Sequence, residues 1–332
     1  MEDFNLPIRV EKEGLYCPRG DFHIDAWQPV STCLVTHAHS DHARIGHDRY
    51  FCAKKSLELL HYRLGPQKFF PYQFGEKFKL NEAWVSFHPA GHIFGSAQVR
   101  IETKDHVCVI SGDYKRAKDA TCEPFEVVTC DSFVTESTFA LPIYKWQDPE
   151  VSAQEIFNWW EENRKKRVAS IIFCYALGKA ERILSLLAPF TDRPCYLHGA
   201  ILPLSEIYLK NGISLLPFKP VIDEEIYPGE LILAPPSAQN SRWLKRFYPY
   251  KTAYASGWMQ VRGMRKQKNV DKSFVLSDHA DWPDLLKTIN ETGASTVYTT
   301  HGKAFILSQY LNEKNVHAQS LLGTESLEGM ED

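Results

Sequence analysis

Short apolar runs, each ending in a polar residue and a turn, recur along the chain. Cys33-Leu34-Val35-Thr36, Val107-Cys108-Val109-Ile110 and Thr296-Val297-Tyr298-Thr299-Thr300 all read as buried, β-rich strands. A second pattern fills the middle. Residues 151–167 read as an amphipathic helix, residues 168–175 as a buried strand, and Lys179–Leu187 as another helix. Cys195–Leu197 and Leu231–Ala234 read as further strands, the latter closed by Pro235-Pro236. This alternation predicts an α/β lobe set into an α/β host. The stretch between Asp113 and His301 is too long for a simple connection, so the lobe is an insertion.

The residues that close the apolar runs carry the chemistry. His37-Ala38-His39-Ser40-Asp41-His42 packs four metal-ligand side chains into six residues behind the first run. Imidazole and carboxylate, with no cysteine, suit an open catalytic metal site better than a closed structural one. The same grammar returns at Gly91-His92, at Ser111-Gly112-Asp113 and at His301-Gly302. Core packing gives no reason for that repetition. His88 is set aside as a packing or supporting histidine.

HxHxDH, the later GH, the SGD and the final HG, in this order, resemble the metallo-β-lactamase fold. The resemblance implies an αββα sandwich that binds two divalent ions, zinc or manganese with iron as a further option. It implies that His37, His39 and His92 hold one metal, Asp41, His42 and His301 the second, and that Asp113 bridges them. Asp25, in His23-Ile24-Asp25-Ala26-Trp27, matches the first motif and would orient a ligand histidine. Two such ions, roughly 3.5–4 Å apart, acidify a shared water and offset charge on phosphoryl oxygens. Carbonyl hydrolases use similar sites, so a small-molecule hydrolase remains one reading.

The flanks of the insertion narrow the choice. Glu136-Ser137-Thr138-Phe139 and Ser277-Asp278-His279-Ala280-Asp281 resemble motifs A and B of the β-CASP nucleases, with His301 at motif C. The resemblance divides the chain into residues 1–148, a β-CASP cap over 149–270, and a return segment over 271–332. It implies that Asp41 and Asp113 serve catalysis beside the metals. Glu136 would hold the His279 ring and favour its protonated form, so that His279 donates a proton to the leaving oxygen.

Gly14-Leu15-Tyr16-Cys17-Pro18-Arg19-Gly20-Asp21-Phe22, Leu233-Ala234-Pro235-Pro236-Ser237-Ala238 and Ala255-Ser256-Gly257-Trp258-Met259-Gln260 resemble the bacterial ligase-associated DNA exonucleases. That group implies single-stranded or frayed DNA as substrate, threaded between the lobes, and association with a DNA ligase and a helicase. A histidine at motif C is commoner among RNA-cleaving relatives, which makes RNA processing the alternative.

Composition sets outer bounds. Apolar residues at 44% and charged residues at 24% describe an ordinary globular chain. No apolar run is long enough for a membrane span, and no leader precedes Asp3-Phe4-Asn5, which predicts a cytoplasmic protein. The eight cysteines lack CxxC spacing and read as reduced core residues. The acidic residues 325–332 read as a frayed tail. A net charge of −3 suits a nucleic-acid enzyme only if cations are local. Arg262 and Arg265 in one basic run, and Arg242 in a run of cations and aromatics, are the candidate contacts. Lys179, Ser237 and Ser256 are candidates for a terminal-phosphate pocket by motif position.

Overall fold

The apolar runs lie inside sheets because both of their faces are covered. The computed structural model describes residues 7–321 apart from Glu224. The first sheet takes its strands in chain order: β1 (Arg9–Glu11), β2 (Gly14–Cys17), β3 (Phe22–Ile24), β4 (Cys33–Val35), β5 (Tyr50–Ala53) and β6 (Phe69–Tyr72). Between β5 and β6 lies α1 (Leu57–Leu64). Next come β7 (Phe78–Leu80), β8 (Ala83–Pro89), β9 (Ala97–Glu102), β10 (Val107–Ile110) and β11 (Ser132–Glu136).

The chain then builds α2 (Pro149–Lys165), β12 (Ala169–Phe173), α3 (Lys179–Leu187), β13 (Cys195–Leu197), α4 (Leu202–Lys210) and β14 (Phe218–Pro220). It continues through β15 (Leu231–Ala234), β16 (Tyr250–Ala255), α5 (Arg262–Lys268) and β17 (Lys272–Phe274). After these come α6 (Trp282–Thr292), β18 (Thr296–Thr300), α7 (Ala304–Glu313) and β19 (His317–Ser320). β18 and β19 complete the second sheet in the order β19-β18-β11-β10-β9-β8-β7.

Alternation along the central strands explains the host. Cys108 and Ile110 face one core, and Val109 faces another. In β11 and β18 the same division separates Val134 and Tyr298 from Phe133 and Val297. The first core is shared with Phe22, Ile24, Leu34 and Phe51 of the other sheet. The second is covered by Trp282, Leu285 and Ile289 of α6 and by Leu307 and Leu311 of α7. The host is therefore a sandwich of two facing sheets with helices outside, and the whole chain is α/β.

The inserted unit runs from Ile143 to Asp278. Its six strands lie in the order β14-β13-β15-β12-β16-β17, parallel throughout. At one edge of this sheet β17 pairs in parallel with β16. Helix α2 starts at Pro149, whose fixed φ suits a first helical position, and Asp148 caps it by accepting from the Glu150 amide at 2.9 Å. Ile171, Phe173, Ile232, Leu244, Phe247 and Met259 share its core.

Six of the eight cysteines are buried. Burial pushes the Cys52 and Cys108 thiols up to about 12. No helix among the described residues is long and apolar enough to cross a membrane. Residues 1–6 and the acidic residues 325–332 lie outside the described residues.

Candidate metal centre

Every donor nominated in the host sits just beyond a strand or in the loop that follows it. The segment after β4 delivers His37, His39, Asp41 and His42; the turn after β8 delivers His92; the end of β10 delivers Asp113; the end of β18 delivers His301. His37, His42, His92 and Asp113 are buried, His39 is half-buried, and Asp41 and His301 are exposed. One donor atom from each of His37, His39, His92 and Asp113 falls within 4.8 Å of the others.

These donors face each other with little between them. His39 Nδ1 lies 3.1 Å from Nε2 of His37 and 3.1 Å from Nε2 of His92. Asp113 Oδ2 lies 3.5, 3.4 and 3.7 Å from Nε2 of His37, His42 and His92. Lone pairs crowded this way repel unless protons or cations lie between them, and His42 Nε2 is buried without a hydrogen-bond partner. The donor set thus fits divalent ions. Asp41 Oδ2 lies 3.5 Å from His42 Nε2, and the His42 and His301 rings stack at 5.4 Å.

The charges explain the titration of the cluster. Burial, then the neighbouring His42, holds His37 well below the usual imidazole range. For His42 burial acts downward, but Asp113, Asp41 and Asp25 outweigh it and hold the ring well above that range. Asp113 lies well below the carboxylate range, because His42 overcomes the opposing effect of burial.

A second set of contacts fixes these side chains. Asp25, at φ 46°, points its carboxylate back to the strand end. Its Oδ1 accepts the Thr36 amide at 2.8 Å, and its Oδ2 accepts Thr36 Oγ1 at 2.6 Å while lying 2.7 Å from His42 Nδ1. Thr36 Oγ1 is also 3.0 Å from His37 Nδ1. Ser137 Oγ donates to the carbonyls of Thr300 and His301. A Cβ at Gly302 would come within 2.5 Å of the Ser137 carbonyl, so only glycine admits this approach. Thr36 and Ser137 were not singled out in the sequence. The hydroxyl position beside each strand end was the available signal.

Glu136 closes β11 and is 1% exposed. Its Oε2 lies 2.9 Å from His279 Nδ1, and its Oε1 accepts the Tyr114 amide at 2.7 Å. The His279 ring packs against His92 at 4.7 Å and Phe139 at 5.8 Å. Asp113, Glu136 and His279 also bring donor atoms within 4.8 Å of one another. His88 bridges Ser86 and Glu126, apart from these contacts.

The nominated residues of the insertion fare differently. Lys179 is 3% exposed, with Nζ 2.8 Å from Asp278 Oδ2. Ser256 is buried and caps a short helical turn by accepting the Trp258 amide at 3.3 Å. Arg265 is exposed but its Nε donates to the Met259 carbonyl. Ser237, Arg242 and Arg262 are exposed. In the aromatic run Leu244 and Phe247 are core, Trp243 packs on His198 and Phe247, and Tyr248 is 84% exposed.

No family model matches the chain. A probable DNA ligase from Opitutus terrae is 30% identical over 318 residues, covering 95% of this chain and 31% of that protein. A ribonuclease from Thermus thermophilus is 26% identical over 56% of this chain and 47% of its own length. An RNase J-like protein from Methanocaldococcus jannaschii is 24% identical over 44% of this chain and 37% of its own length. The chain spans less than half the length of each of these relatives. A solved structure of a protein of unknown function from Enterococcus faecalis V583 covers 89% of this chain, and 80% of that one, at a TM-score of 0.59 and 14% identity, a likeness of fold alone. A sandwich with the nominated donors at its strand ends, an α/β unit set between motifs A and B, and these relatives give the chain the metallo-β-lactamase fold with a cap of the β-CASP type.

Proposed function

We propose that this chain is a metal-dependent nuclease that hydrolyses DNA phosphodiesters, by preference at single-stranded or frayed ends. One observation carries the reading: a carboxylate–imidazole pair, Glu136 and His279, stands beside the converging donors of His37, His39, His92 and Asp113. His37, His39, His92 and Asp113 would hold one divalent ion, and Asp41, His42, His301 and Asp113 a second. Such ions acidify a water and offset the charge that grows on phosphoryl oxygens.

The chain's own residues do the rest. Asp25 and Thr36 hold His42 and His37 by their Nδ1 atoms and so direct Nε2 inward. Ser137 holds the backbone at His301. Glu136 takes Nδ1 of His279, which leaves Nε2 to give a proton to the departing oxygen as the P–O bond breaks. A lactone or thioester hydrolase has no evident use for that acid.

Support for DNA comes from the DNA-ligase relative, which matches nearly the whole chain. It also supports work beside a ligase. Support for RNA, the second reading, comes from the relatives named as ribonucleases. End-labelled single-stranded DNA and matched RNA, offered together to protein reloaded with manganese or zinc, decide between them. Stepwise shortening of DNA from one end with RNA spared is expected; preferential internal cutting of RNA would replace the DNA reading.

A further inference from the structure

Four ionisable side chains are buried together around the first turn of α3. Lys179, Glu181, Arg182 and Asp278 are each no more than 4% exposed. Lys179 and Arg182 are three residues apart, which puts them on one helix face. They divide a single carboxylate: Lys179 Nζ lies 2.8 Å from Asp278 Oδ2, and Arg182 Nη1 lies 3.1 Å from Asp278 Oδ1. Arg182 Nη1 also donates to the Ser277 carbonyl, so backbone and side chain are gripped together. The turn that carries both cations is itself tied down. Glu181 accepts from the Gly178 amide at 2.7 Å and from Ser205 Oγ at 2.6 Å.

Buried ion pairs add little stability over apolar packing, and their best-attested use is to select one geometry. Here the geometry selected is that of the residue immediately before His279. Beyond that peptide bond the His279 ring must keep Nδ1 within 2.9 Å of Glu136. A carboxylate gripped on both oxygens removes the freedom of the chain to slide or rotate there.

We propose that Lys179 and Arg182, acting through Asp278, are positioning residues for His279: they fix the residue before it so that the ring stays on Glu136 with Nε2 presented to the leaving oxygen. The proposal rests on the reading of His279 as the leaving-group acid. None of the three touches the substrate.

The test uses the metal-loaded protein and one single-stranded DNA made in two forms. In one the departing bridging atom is the normal oxygen; in the other it is sulfur, which leaves as a thiolate without needing a proton. Lys179→Met and Asp278→Asn are expected to lower kcat on the oxygen strand by about 10²-fold, within the range a general acid supplies. KM should move little, the sulfur strand should lose far less, and Lys179→Arg should recover most of the loss. Equal losses on both strands, or no loss on either, overturn the proposal. Where either variant fails to fold, Asp278→Glu keeps the charge and shifts the anchor, and the same selective loss is expected of it; its absence is equally decisive. His279→Ala is run alongside. If it cuts the oxygen strand at the full rate, the acid reading itself falls, an outcome distinct from failure of the anchor.

Discussion

Both units bury charged side chains, but in contrasting company. In the host, His37, His42 and His92 turn nitrogen atoms toward one another and toward a single carboxylate oxygen of Asp113. In the insertion, Lys179 and Arg182 meet the opposite charge of Asp278 directly. Several ring nitrogens converging on one carboxylate oxygen mark a place for a cation. Charges that already neutralise one another mark a place where the chain is held.

The largest effect expected from this contrast is at Asp113, the group common to three histidines. Asp113→Ala should lose bound metal and fall to background turnover, by elemental analysis and the DNA assay. Two retained metal equivalents per chain would break the comparison.

Next is Glu181, the buried acid of the anchored turn. Burial raises its pKa from an ordinary 4.5 to about 7. The unfolded chain therefore sheds this proton first, and the folded protein loses stability as pH rises from about 4.5 through about 7. The loss amounts to about 3 kcal/mol at about 1.4 kcal/mol per pH unit. Glu181→Gln should remove that dependence, which calorimetry across the window would show; parallel curves for wild type and variant would contradict it.

Asp25→Asn should weaken metal binding by about 10- to 100-fold, since the ligands remain and only their support is changed. Competition with a chelator measures it, and unchanged affinity would remove Asp25 from the site. The smallest effect belongs to Arg262, exposed on α5. Arg262→Ala should lower the slope of log affinity against log salt by about 1 if it meets a phosphate. Titrations of single-stranded DNA at several salt concentrations would reveal a slope left unaltered.

The same contrast explains what the sequence disclosed. A histidine or aspartate at a strand end is a donor whatever its neighbours, so the converging donors could be read one at a time. The strands that carry them were legible because a strand covered on both faces is apolar without interruption, as in β10. The ion pair of Lys179 was not legible because it depends on Asp278, far along the chain, and a lysine has the same appearance in a sequence whatever it meets. Thr36 and Ser137 were missed for a related reason. A hydroxyl that supports a ligand differs in no local way from one that caps a turn.

β18 has a consequence for how the activity arises during synthesis. It enters the second sheet beside β11 and brings His301, after the whole insertion has been made. A chain still growing, or broken off before this strand, lacks His279 or His301 and has an open edge where β18 would pair. On the proposed function, a partly made chain therefore has no complete set of donors until this strand has been added.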